Sequence, residues 1–306
     1  MKAIKKIDIH AHAIMFHEQA PKDYVTGERF CSASEVIELY DKLEIEKGVL
    51  MPLLSPEANY DPMTSKECAF LASQNPDRFF WFCNIDPRSC GHSPSADLSK
   101  YIEHYKMLGA KGLGEITANI PIDDPLIDNL FFHCEENDMP VTIHLAPMNA
   151  KYGFYGLKDE IGLPRLEKML KKHRKLKVFG HSQLFWAEIS TNVTEENRIG
   201  CPGGKVNEGR IAYLLRKYPN LYCDCSAGSG TNALMRDKEY TAKFIEEFSD
   251  RLMYGCDICY KSNKRPFVFK EWLDGFRKDG YINEDNYHKF VRGNAIRLLK
   301  LENLSK

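Results

Sequence analysis

Short apolar runs alternate with longer amphipathic stretches along most of the 306-residue chain. The runs occupy 3–10 (AIKKIDIH), 47–53 (KGVLMPL), 78–85 (RFFWFCNI), 110–116 (AKGLGEI), 140–145 (PVTIHL), 176–182 (LKVFGHS), 220–226 (NLYCDCS) and 251–257 (RLMYGCD). Brief, bounded apolar runs of this kind suit strands buried on both faces of a parallel sheet. The stretches between them carry apolar residues at helical spacing. In 32–44, Val36, Leu39, Tyr40 and Leu43 fall on one side of a 3.6-residue repeat. Segments 124–138 and 232–249 are expected to be helices for the same reason. Eight strand–helix units over this length predict a (β/α)8 barrel, an α/β fold, rather than an open doubly wound sheet. No Pro/Ser-rich linker or low-complexity tract interrupts them, so a single domain over residues 1–306 is expected.

Composition narrows the function classes. Hydrophobic residues make up 43% of the chain, enough for a core that needs neither disulfide nor metal in order to fold. Net charge is -1 with both signs interspersed, and the densest basic stretch, 168–177, reads as one solvated helix face. No nucleic-acid partner is therefore expected. No apolar stretch reaches the length of a membrane span. The start, MKAIKKIDIH, runs into a strand without the apolar core or small-residue cleavage site of a signal peptide. Ten scattered cysteines suit free thiols in a reducing cytoplasm better than a disulfide framework. The expectations are a cytoplasmic location, a small-molecule substrate and no membrane partner, and a homo-oligomer is compatible with them.

A barrel gathers its chemistry at the carboxyl ends of its strands. Those ends hold His10 and His12 on the first strand, Glu115 on the fourth, His144 on the fifth, His181 on the sixth and Asp257 on the eighth. Two residues apart on a strand, His10 and His12 present both imidazoles on one face, which is half of a metal site. The other strand ends supply the missing donors. The remaining histidines fall in loops or helices and take no role. Cys256 and Cys259 make a C-x-x-C pair around Asp257, but a zinc knuckle needs a second pair, and Cys223 and Cys225 are poorly spaced for one. Asp224, between those two cysteines, either braces the metal shell or binds the backbone of the Gly-rich turn at 226–234. That turn lacks the Lys-Ser/Thr of a phosphate loop. Near the C-terminus, GNAIRLL has helical spacing with Asn294 as its expected cap.

In DIHAH, GLGEI, TIHLAP, VFGHSQ, LYCDCSAGSG, MYGCDICY and VRGNAIRLL, spread over nearly the whole chain, the sequence resembles the amidohydrolase superfamily. It resembles especially the amidohydrolase-related branch, which also holds nonoxidative decarboxylases. The resemblance implies that His10, His12, His144, His181 and Asp257 surround one or two divalent ions, with Glu115 in the place of a bridging ligand. A carboxylate offers the two donor atoms that a pair of cations about 3.5–4 Å apart requires. The alternative for Glu115 is to orient a ligand histidine. For His181 the alternatives are ligand and acid/base. Imidazoles with carboxylates suit zinc, and manganese or iron accept the same donors.

The function so implied is a metal-dependent hydrolase acting on a small amide, lactone or ester. Asp257 would take the proton of the attacking water and pass it to the leaving group, while His181 holds an ion or steadies the oxyanion. The alternatives are a metal-dependent nonoxidative decarboxylase and a non-catalytic, ligand-binding barrel. TatD-type deoxyribonucleases share a similar ligand pattern, but neutral charge and long loops after the fifth and sixth strands argue against DNA. In those loops Tyr152, Phe154, Tyr155 and Trp186 suggest an aromatic wall. Lys205 and Arg210 either bind a substrate carboxylate or are ordinary surface charge.

Overall fold

A computed structural model of the chain describes residues 4–149, 154–301 and 304. Its strands are β1 (Lys6–Ala11), β2 (Ile45–Leu50), β3 (Phe79–Trp81), β4 (Leu113–Ile116), β5 (Val141–Pro147), β6 (Leu157–Asp159), β7 (Val178–His181), β8 (Leu221–Asp224) and β9 (Leu252–Met253). All pair in parallel. β6 is an addition that the apolar pattern does not predict; it extends the sheet beside β5 from Leu145 onward. The other eight are the expected barrel strands, so the sixth, seventh and eighth of the sequence pattern are β7, β8 and β9.

The ladder runs β1–β2–β3 and β4–β5–β7–β8–β9. Two seams join these arcs into a ring. Cys83, beyond β3, bridges Leu113 of β4, and its N–H donates to Gly112 O at 2.9 Å. On the other side Ala11 bridges Ile258, with Ile9 N donating to Tyr254 O at 3.2 Å and His12 N to Ile258 O at 2.9 Å. The ring is a (β/α)8 barrel.

Side chains sort into an inner cluster and an outer layer. Ile7 and Ile9 of β1 pack with Val49, Met51, Phe82, Phe179 and Met253 inside the barrel. Ala11, Leu50, Leu113, Val141, Ile143 and Val178 face the surrounding helices. Two strands change phase near their carboxyl ends. In β1, Asp8 pairs with Gly48 but Ala11 pairs with Leu50, so three steps along β1 match two along β2. The extra residue turns His10 and His12 inward, where strict alternation from Ile7 and Ile9 would have turned them out. β4 does the same: Leu113 pairs with Val141 and Ile116 with Ile143. Gly114 makes this shift feasible, because its φ is +146° and a Cβ there would lie 2.7 Å from Thr142 O. Glu115 is thereby carried into the mouth.

The helices depart from expectation in two places. The stretch 232–249 is two helices, Ala227–Met235 and Lys238–Phe248, because Asp237 caps the second by accepting from Tyr240 N at 3.2 Å. Asn294 is not a cap. It lies at the start of the helix Asn294–Leu298, and its amide donates to Ser249 O at 2.7 Å and Leu252 O at 2.8 Å. Those bonds fix the C-terminal helix to β9, where Ala295 and Leu298 join the inner cluster. Asn294→Ala should therefore lower unfolding stability by about 1–3 kcal/mol, since two buried carbonyls lose their donor. Urea denaturation checks this; an unchanged midpoint and slope would contradict it.

Candidate metal centre

The six residues singled out at the strand ends meet in one cluster. His10, His12, Glu115, His144 and His181 are buried, and Asp257 is the most open, with 22% of its side chain exposed. His12 Nδ1 lies 2.9 Å from Met51 O, which can only accept, so that nitrogen carries the proton and Nε2 is left with its lone pair. His10 Nδ1 lies 2.6 Å from Asp224 Oδ2. Its Nε2 points at His12 Nε2, 3.1 Å away.

Three donor atoms converge on one point, and one oxygen of Glu115 lies near two of them. His10 Nε2 is 3.1 Å from His12 Nε2, 3.6 Å from Glu115 Oε2 and 3.6 Å from Asp257 Oδ1; His12 Nε2 is 3.7 Å from Glu115 Oε2 and 3.4 Å from Asp257 Oδ1. A tetrahedral ion with bonds of 2.0–2.1 Å needs ligand atoms about 3.3–3.4 Å apart. The edges among His10, His12 and Asp257 scatter around that value, so this triad fits a divalent metal in both chemistry and spacing. His10 and His12 with Asp257, and His10 with Glu115 and His181, form the two candidate groups of metal donors among the described residues.

Glu115 presents its other oxygen to a second set. Oε1 lies 2.5 Å from His144 Nδ1 and 3.5 Å from His181 Nε2. His144 is thus placed against Glu115, beside the His10–His12–Asp257 group rather than within it.

Asp224 was left between two roles by the sequence, and the structure gives it both. Oδ2 reaches His10 Nδ1 and, at 3.3 Å, His181 Nδ1; Oδ1 accepts from Ser226 N at 3.0 Å, just before the helix Ala227–Met235 that occupies the place of the expected Gly-rich turn. The Ser226 hydroxyl, 3.1 Å from His181 Nδ1, is a neighbour that the sequence reading missed.

Electrostatics match this arrangement. Burial opposes a charge on His10, yet Asp224, Asp257 and Glu115 raise its pKa well above the usual imidazole value. His181 rises for the same reason, chiefly through Asp224 against the cost of burial. Burial would raise the carboxylates, but His144 and His10 hold Glu115 well below its ordinary range, and His10 and His181 hold Asp224 low. Asp257 sits at about 2, the pull of His10, His12 and His181 exceeding the effect of burial. The cluster is a trap for positive charge.

A protein-family model described as amidohydrolase matches residues 7–301. The chain belongs to the amidohydrolase family. No curated protein matches it in a sequence search. Among solved structures, an uncharacterized TIM-barrel protein from Bordetella bronchiseptica is 20% identical, with 97% of this chain and 99% of that one covered and a TM-score of 0.63. The 5-carboxyvanillate decarboxylase of Sphingomonas paucimobilis is 16% identical over 97% and 99%, with a TM-score of 0.63. A probable 2-pyrone-4,6-dicarboxylic acid hydrolase from Acinetobacter baumannii, with citric acid bound, is 14% identical over 97% and 100%, with a TM-score of 0.58. At these identities the likeness is one of fold.

Of the residues expected to contact substrate, Tyr155 alone among the described ones has its ring against a histidine of the cluster, its centroid 4.6 Å from that of His144. Trp186 is 2% exposed and donates from Nε1 to Asp224 O at 2.9 Å, so it braces the shell from behind. Arg210 is held in the outer helical layer by Glu167 and by Gly162 O, the latter at 2.7 Å, and covers the Tyr213 ring. Lys205 is exposed, Phe154 is half-buried, and Tyr152 lies outside the described residues. Asp224→Asn should lower affinity for a divalent ion about 10–100-fold by loosening His10, whereas Arg210→Ala should leave it unchanged. Chelator competition with zinc measures both; equal affinities in the two variants would contradict the assignment.

Proposed function

We propose that this member of the amidohydrolase family is a metal-dependent hydrolase of small amides, lactones or esters with a binuclear centre. One observation carries the reading: the two oxygens of Glu115 face different donor sets, Oε2 towards His10 and His12 and Oε1 towards His144 and His181. A side chain so placed suits a bridge. Its anion offsets the repulsion between two cations, and each oxygen has its own histidine pair. His10, His12 and Asp257 would hold the first ion with Glu115 Oε2, and Glu115 Oε1 and His181 the second, which His144 would join by giving up its 2.5 Å hydrogen bond to Oε1. Zinc fits this donor set, and manganese or iron share it. When bound, such ions polarise a carbonyl and make a nucleophile of water near neutral pH.

The chain's own residues account for the rest. Asp257 is ionised at neutral pH and is the cluster member most open to the mouth, so it can take a proton from the attacking water and return it to the leaving group. Asp224 and Met51 O keep the Nε2 atoms of His10 and His12 directed at the site. Tyr155 covers His144 and limits water on that side. A decarboxylase is the second reading, because three similar solved structures are decarboxylases, of 5-carboxyvanillate and of 2,6-dihydroxybenzoate.

Metal content separates the roles of Glu115. Glu115→Gln should lower metal per chain from about two to one or fewer after equilibration with excess zinc or manganese. A wild type that never exceeds one under either metal would contradict the bridge. The reaction class is tested by screening amides, lactones and aromatic acids in water enriched in heavy oxygen. Hydrolysis places the label in the product; carbon dioxide release without label would favour the decarboxylase.

A further inference from the structure

Asp8 is the one acidic residue of β1, and it is fully buried on the face turned away from the metal cluster. Its Oδ1 accepts two backbone N–H bonds, from His10 at 3.0 Å and from Cys256 at 2.8 Å. Its Oδ2 accepts from the Tyr40 hydroxyl at 2.7 Å, and Tyr40 belongs to the helix Ala33–Leu43.

The two amides stand at critical points. His10 N falls within the phase shift of β1, between the Asp8–Gly48 and Ala11–Leu50 pairs, and the Asp8 carboxylate serves as its acceptor. Cys256 immediately precedes Asp257, whose φ is +54°, a left-handed conformation that a non-glycine residue keeps only when its surroundings fix it. One carboxylate oxygen thus fastens both strands of the closing seam just before each delivers its donor. Gly48 lies opposite Asp8 on β2, and a Cβ there would come within 2.0 Å of the Tyr40 hydroxyl. Glycine therefore leaves the gap through which Tyr40 reaches and orients the carboxylate.

We propose that Asp8 is a positioning residue for the metal centre, holding the extra residue of β1 and the turn into Asp257 so that His10, His12 and Asp257 meet at metal-ligand spacing. The inference rests on reading the cluster as a metal centre. A slip of β1 by one residue would reverse the faces of both histidines. Even a small displacement matters, because ligand distances tolerate only about 0.2 Å. The carbonyl-like oxygen, rather than the charge, does the fastening, so asparagine can replace Asp8 while alanine cannot.

Cobalt(II) is a suitable probe, read by chelator competition and by its visible absorption, with circular dichroism and urea unfolding reporting the fold. Asp8→Ala should bind cobalt about 10–100-fold more weakly and shift the absorption bands. Asp8→Asn should stay within about threefold of wild type, and Tyr40→Phe should fall between the two alanine and asparagine results. Wild-type affinity and spectrum in Asp8→Ala would overturn the inference alone, as would a folded Asp8→Asn as impaired as the alanine variant. Should Asp8→Ala not fold, Tyr40→Phe decides: a several-fold loss of affinity supports the assignment, and unchanged affinity overturns it. A wild type that takes up no cobalt would overturn the metal reading together with this inference.

Discussion

Three carboxylates, Glu115, Asp224 and Asp257, share one barrel mouth with four imidazoles, and every member but Asp257 is buried. Buried negative charge is expensive unless a cation answers it. That constraint organises the site. In the bare chain the carboxylates draw protons onto His10 and His181; a divalent ion answers the same demand with more charge and with the spacing already in place. The hydrogen bonds behind the ligands, from His10 to Asp224 and from His12 to Met51 O, serve this demand by fixing which nitrogen of each ring faces inward.

The barrel pays for a polar mouth with an apolar body beneath it. Ile7, Ile9, Val49, Met51, Phe82, Phe179 and Met253 fill the interior, and the C-terminal helix adds Ala295 and Leu298 below. This packing lets the strands hold charged groups at one end without losing their register. The phase shifts in β1 and β4 mark the boundary, the point where alternation that serves packing gives way to geometry that serves ligands. Asp8, Gly48 and Tyr40 work at that boundary from the outer face.

Much of this was legible in the sequence. The eight apolar runs lie on the eight barrel strands, and His10, His12, Glu115, His144, His181 and Asp257 converge because strand ends in a barrel converge. What escaped depended on single bonds that no periodicity carries. Asp237 splits the expected helix at 232–249 through one cap, and Asn294 reaches two carbonyls 42 and 45 residues away in sequence. Arg210 shows the limit of reading loops by residue type, since Glu167 claims it in the helical layer. Asp224 was visible as a candidate, but its two oxygens serve two partners, which only coordinates can display.

Glu115 is proposed to bridge two divalent ions. Anomalous X-ray scattering, collected at the absorption edge of zinc or manganese from crystals equilibrated with that metal, tests it most directly. Two peaks about 3.5–4 Å apart are expected, one within bonding distance of His10, His12 and Asp257 and the other of His144 and His181, with Glu115 between them. A single peak under both metals, with Glu115 bonded only to a histidine, would contradict it.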